Sequence, residues 1–190
     1  GTITYTRDSN GEVISRKDAK GQIATITRDA LGRPTRIEYA SSHVVEYTYD
    51  AAGRLSVITD NSGKTTFERD AQGRVLTKTQ EVLDDPSLPS RFKLAYTYAN
   101  GDLTGIRYPS GLQVTYRRAA GQITGVDVQP AGGASTSLVS GLTHTPLGQP
   151  HSWAFSNGVQ VNRSFDAEGR MTASEFGSYE PNNNNEQFES

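Results

Sequence analysis

The ten residues Tyr47–Ser56, YTYDAAGRLS, decide the fold. Ahead of the aspartate the side chains alternate. Val45, Tyr47 and Tyr49 point to one face, and Val44, Glu46 and Thr48 to the other, which is the two-residue period of a half-buried strand. After it, Leu55, Val57 and Thr59 alternate with Ser56 and Ile58. Between the two runs, D-x-x-G has the chemistry of a hairpin loop built on a type I turn. Asp50 can accept a hydrogen bond from the backbone two residues on, and Gly53 takes the position with positive φ and forms a bulge. A residue with a Cβ would be strained at that glycine.

The same punctuation recurs outward from this stretch. YTRDSNGEVI, ITRDALGRPT and FERDAQGRVL place aspartates at Asp8, Asp29 and Asp70, so that with Asp50 the spacings are 21, 21 and 20. The turn glycines are Gly11, Gly32, Gly53 and Gly73. Degraded copies follow as YTYANGDLTG, TYRRAAGQIT and LTHTPLGQPH, and RSFDAEGRMT restores the pattern at Asp166 and Gly169. A second glycine series, Gly21, Gly63, Gly111 and Gly158, falls between these turns, with Ser42-His43 standing in once. Each repeat of about twenty residues therefore reads as two short strands and two tight turns. Consecutive repeats make an all-β antiparallel meander of about fifteen strands. Strand twist keeps so wide a sheet from lying flat, and the expected form is a curved wall.

YTYDAAGRL and its relatives at intervals of about twenty residues resemble the YD repeat of the Rhs family, which includes the teneurins and the C components of insecticidal toxin complexes. The resemblance covers nearly the whole chain and is strongest over Tyr5–Thr79 and Arg163–Met171. It implies a β-strand spiral that builds a hollow shell. In bacterial members that shell encloses a C-terminal toxin, released by an Asp-dependent self-cleavage near the end of the core. The core-end motif has no match here, so no protease residue is carried onto this chain. By the same resemblance the parent protein is secreted or displayed at the cell surface, and the partners are other parts of the shell and its enclosed toxin.

Two stretches break the period. QEVLDDPSLPSRFKL, near 80–94, reads as a surface excursion between strands, with a recognition loop as the alternative. QPAGGASTSLVSG, near 129–141, reads as a hairpin loop or a weakened edge. The repeat array is expected to occupy 1–178, with residues 179–190 a polar tail. The one methionine is Met171, and the chain enters directly in a repeat-like strand, as an excised piece of a longer protein would.

Composition narrows the function. A net charge of −2 offers no nucleic-acid surface and no polybasic membrane patch. No apolar run approaches the ~18 residues of a membrane span. The absence of cysteine removes disulfides, thiolate zinc sites and thiol catalysis. A hydrophobic fraction of 34% in a strand-rich chain points to sheets with at least one wet face rather than a thick dry core.

The aspartates read as turn caps. DSNG at Asp8 and DNSG at Asp60 echo calcium loops but lack the ligand series and the downstream bidentate glutamate. His43, His144 and His151 have no metal-ligand spacing, and no nucleophile elbow is present. Trp153 and Phe155 read as packing on one strand face. No catalytic, metal or cofactor residue is assigned, and no cofactor is expected. The site residues are structural: Asp8, Gly11, Asp29, Gly32, Asp50, Gly53, Asp70, Gly73, Asp166 and Gly169. The leading function is a non-catalytic encapsulation module. The alternative is a carbohydrate- or protein-binding β-repeat module. An open meander leaves unpaired strand edges, so self-association through them is expected as well.

Overall fold

In the computed structural model, residues 1–83 and 91–178 are described; the tail 179–190 and the centre of the first interruption, 84–90, lie outside them. The chain divides into two compact units, Gly1–Leu94 and Ala95–Ser190. The first holds β1 (Thr4–Arg7), β2 (Val13–Lys17), β3 (Ile23–Arg28), β4 (Pro34–Tyr39), β5 (Val44–Tyr49), β6 (Leu55–Asp60), β7 (Gly63–Arg69) and β8 (Val75–Val82). The unit boundary falls inside β9 (Arg91–Ala99). The second unit continues with β10 (Asp102–Arg107), β11 (Gln113–Ala119), β12 (Gln122–Gln129), β13 (Thr136–His144), β14 (Pro150–Phe155), β15 (Val159–Phe165) and β16 (Met171–Ser178). Strand order in the antiparallel sheet is chain order, β1 to β16. The described residues hold no helix.

Register explains why the alternating pattern suffices to specify this fold. In the first unit Ile26, Ile37 and Val45 lie opposite one another, and Tyr47 faces Ile58. These side chains form a half-buried row, each cross-strand pair contributing about 0.2–1 kcal/mol. The other face is polar: Thr27, Arg36, Glu46, Thr59 and Lys64 follow one another across it. Arg36 pairs there with Glu46 at 2.8 Å and with Glu38 at 3.3 Å.

The second unit repeats the scheme by itself. Tyr96, Ile106, Val114 and Val128 form its half-buried row, opposite Thr97, Gly105, Thr115 and Asp127. Trp153, Val161 and Phe176 share a row on which Trp153 and Phe155 meet edge to face at 6.3 Å, and Arg163 stacks over the Trp153 ring at 4.8 Å. Contacts between elements join strands adjacent in the chain. Val161 is accordingly the one large side chain that is fully buried among the described residues. Among the described residues fourteen large apolar side chains, Leu31, Leu147 and Tyr5 included, are exposed. A single layer has no second face to pack against.

The second interruption is shorter than its composition implies. Small polar residues do not end pairing where backbone partners are available. A turn at Pro130–Gly133 is followed by β13 from Thr136, with Thr136 facing Val128 and Val139 facing Val126. Around the first interruption β8 runs to Val82 and β9 starts at Arg91, so strand flanks both sides of 84–90.

Candidate functional site: the turn ladder

The D-x-x-G turns at Asp8, Asp29, Asp50, Asp70 and Asp166 lie on odd-to-even connections and share one construction. The amide of Gly53 donates to the Asp50 carbonyl at 2.8 Å, and the amide of Asp50 donates to the Arg54 carbonyl at 2.8 Å. Asp50 Oδ1 accepts from the amides of Ala52 and Arg54, at 3.0 and 2.9 Å, and Oδ2 accepts from Arg54 Nε at 2.8 Å. One carboxylate thus satisfies two loop donors and orients the first side chain of the next strand. The structure places Asp29, Asp70 and Asp166 in the same position, with Arg33, Arg74 and Arg170 as the arginine partners at 2.7 Å. Asp8 holds the amides of Asn10 and Glu12 without an arginine. Gly11, Gly32, Gly53, Gly73 and Gly169 have φ between 78° and 90°. The bulge sits one residue before each aspartate, between Thr48 and Tyr49 in this repeat.

These bonds set the charge. The Arg33 side chain holds the Asp29 carboxyl below the usual range, and Arg170 does the same for Asp166. For Asp50 the Arg54 amide leads. At Asp70 desolvation pushes upward, yet the bonds from Arg74 outweigh it and the net shift is down.

Even-to-odd connections show what the glycine series left unread. Gly21, Gly111 and Gly158 have positive φ, and Ser42 takes their place at φ 60°. Asp18 caps its turn as Asp8 does, through the amides of Lys20 and Gln22; D-A-K-G carried that signal. Gly63 differs. It is the first residue of β7, paired with Asp60 across the two-residue loop Asn61-Ser62, and not a positive-φ position. It is glycine because a Cβ there would strike the Glu81 carbonyl. Asp60 caps that loop through the amides of Ser62 and Gly63, and the Ser62 hydroxyl holds its carboxyl low.

Successive turns are latched together, which no single repeat reveals. At four turns the residue before the turn reaches back to the strand that followed the previous turn. Arg28 Nη2 donates to the Val13 carbonyl at 3.1 Å, the Tyr49 hydroxyl to Pro34 at 2.7 Å, Arg69 Nη2 to Leu55 at 3.1 Å, and Arg118 Nε to Leu103 at 3.1 Å. At four rungs the residue after the turn leans on the next turn. Arg33 lies 4.3 Å from the Tyr49 ring, and a Cβ on Gly53 would come within 2.9 Å of its guanidinium. Glu12 and Gln149 stand in the same way against Gly32 and Gly169, and Gln149 Nε2 donates to the Gly169 carbonyl.

Shallow depressions flank the ladder, one of about 320 Å³ bordered by Arg16, Tyr39 and His43, another of about 450 Å³ between the Asp8 and Asp29 turns. No group of three His, Asp or Glu side chains converges as metal ligands among the described residues. Among them, too, no helix is long and apolar enough to cross a membrane.

The RHS Repeat family model matches residues 28–65 and 49–82, the stretch that carries the Asp29, Asp50 and Asp70 turns. Over residues 28–82 this is an Rhs-repeat chain. Solved structures extend the likeness in fold across both units. The crystal structure of TcdB2-TccC3-TEV matches with a TM-score of 0.79 and 18% identity, over 96% of this chain and 10% of that one. A Photorhabdus luminescens Tc holotoxin pore matches with a TM-score of 0.67 and 16% identity, over 93% of this chain and 11% of that one. The chain thus spans about a tenth of the length of the chains it resembles. Among curated proteins there is no match.

Proposed function

We propose that this chain is a non-catalytic wall segment of an Rhs-type shell that encloses a C-terminal toxin or effector of a secreted or cell-surface parent. The observation that carries the reading is the latched, single-layer sheet. Its hairpins follow one another in chain order, hold one another through turn-to-turn bonds, and leave one row of apolar side chains half-covered. A wall needs these properties. An enzyme would need converging nucleophile, base and orienting groups. In this reading the Asp and Gly of the D-x-x-G turns are the site residues, since they set the angle and spacing of successive hairpins. The solved structures with this fold include toxin complexes, which supports the same role.

Protease protection in the full-length parent tests it. The region that follows the repeats should resist digestion in the intact protein and become cleavable once the repeats are unfolded by denaturant. Digestion of that region at the rate of the free segment would contradict enclosure. A reproducible glycan-array signal on this chain would favour a carbohydrate-binding module instead.

A further inference from the structure

We propose that Arg163 and Trp153 form a binding site for a peptide carboxylate carried beside an apolar side chain. The position of the arginine is the first observation. Arg163 stands three residues before Asp166, where Ile26, Tyr47 and Phe67 stand three before Asp29, Asp50 and Asp70. Those side chains are half-buried on the apolar face, and so is Arg163. Val161, two residues away, shares its face, and Trp153 lies opposite Val161. A full positive charge thus occupies a place that other repeats give to an uncharged side chain, and such a charge is costly there unless it is paired.

Arg163 Nε is buried and unpartnered, and among the described residues no hydrogen bond or ion pair reaches the guanidinium. Arg69 Nε is also unpartnered, but its Nη1 and Nη2 donate to the Gly73 and Leu55 carbonyls, at 3.5 and 3.1 Å. In the second unit Arg117 is bonded to Ser137 and Val139, Arg118 to Leu103 and Gly121, and Arg170 to Asp166. Arg163 has the Trp153 ring instead, 4.8 Å from its Cζ. Stacking occupies a flat face of the guanidinium and leaves its in-plane donors unspent. Across β16 the partners are Ser174, opposite Arg163, and Phe176, opposite Val161; Glu175 between them lies on the other face. Nor does Arg163 mark the rim of the sheet. β15 is paired on both sides, and the guanidinium lies over β14, away from the β16 edge.

The surroundings select the ligand. A carboxylate fits the guanidinium fork with two parallel bonds. An apolar group beside it rests on Trp153 and on Phe155, which meets the Trp153 ring edge to face and is 36% exposed. Inorganic phosphate lacks the apolar half and loses more hydration on a half-buried apolar face.

Trp153 is the only tryptophan in the chain, so its emission reports the site directly. Titration with the blocked dipeptide acetyl-phenylalanyl-glutamate amide should give a saturable change in that emission. The glutamine analogue, of the same shape but uncharged, should bind about tenfold more weakly, the loss of one charge-assisted pair. In Arg163→Gln, with a melting curve to check the fold, the two peptides should bind alike. Equal affinity of the two peptides for the unchanged protein would overturn the proposal, whatever the variant does. So would displacement of the glutamate peptide by inorganic phosphate at equal concentration, which would make this a general anion site. Protease protection in the parent and peptide binding here are separate readouts, so the wall reading and this site can fail independently.

Discussion

In the first unit the Asp29, Asp50 and Asp70 turns are closed by carboxylates that hold backbone amides and an arginine; in the second, Asn100-Gly101 and Ala120-Gly121 close equivalent odd-to-even hairpins through backbone conformation. Both central residues of these two loops lie at positive φ: Asn100 at 51° and Gly101 at 91°, Ala120 at 49° and Gly121 at 80°. That is the twist-matched two-residue turn. At Thr145–Gln149 a third solution appears, with the Thr145 hydroxyl accepting from the Gln149 amide where an aspartate would. The latch crosses this change of chemistry, since Arg118 beside Ala120-Gly121 reaches Leu103 just as Arg28 reaches Val13. What these rungs share is a left-handed residue and satisfied loop donors, and aspartate is one way of meeting the second demand; a side chain reaching back is added at four of them.

The comparison breaks most severely at glycine. Gly53→Val should destabilise by about 2–3 kcal/mol, because a β-branched residue meets both the backbone strain of φ 80° and the Arg33 guanidinium. Gly101→Val meets strain at φ 91° but open space, and should cost about 1–2 kcal/mol. Denaturant midpoints for the pair measure the difference, and equal costs would show that turns in the first unit do not lean on one another. Tyr49→Phe, which removes only the hydroxyl bonded to Pro34, should cost about 1 kcal/mol. Ala120→Asn works in the opposite direction, placing at positive φ a residue whose short polar side chain suits the left-handed region, and should stabilise by about 0.5 kcal/mol in a thermal melt. A neutral result would place the strain elsewhere.

The smallest effect is on pH. Asp29, Asp50 and Asp70 titrate below their unfolded value near 3.9. A depressed folded pKa contributes stability that is fully present above the unfolded value and is lost as pH falls through the folded one. Melting temperature should therefore decline below about pH 4, and the decline should be shallower in Asp50→Asn. These pairs face solvent, which keeps the change modest. An unchanged slope in that variant would remove the turn carboxylates from the account.

The strands and most turns were legible in the residues because both depend on local rules, alternation at Tyr47 and Tyr49 and a glycine three residues after each aspartate. The turn at Asn100-Gly101 was visible as a degraded copy, although its two-residue form follows from N-G itself. Asp18 was passed over beside its own glycine. Gly63 could not be assigned from its spacing, since its reason is the Glu81 carbonyl on the neighbouring strand. Strand β13 hid behind small polar residues that pair as well as any others do. The latch was invisible because it joins residues fourteen or fifteen apart through side chains of two kinds, arginine and tyrosine, each donating to a backbone carbonyl.

Coupling between consecutive turns is the centre of this account, and a double-mutant cycle on Arg33 and Tyr49 measures it most directly. The guanidinium after one turn stacks 4.3 Å from the ring before the next. Arg33→Ala, Tyr49→Ala and the double variant, compared by denaturant unfolding, should give a coupling energy of about 0.5–1 kcal/mol. Additive losses, with coupling within about 0.3 kcal/mol of zero, would mean that the turns stand independently and that the ladder is no more than a row of separate hairpins.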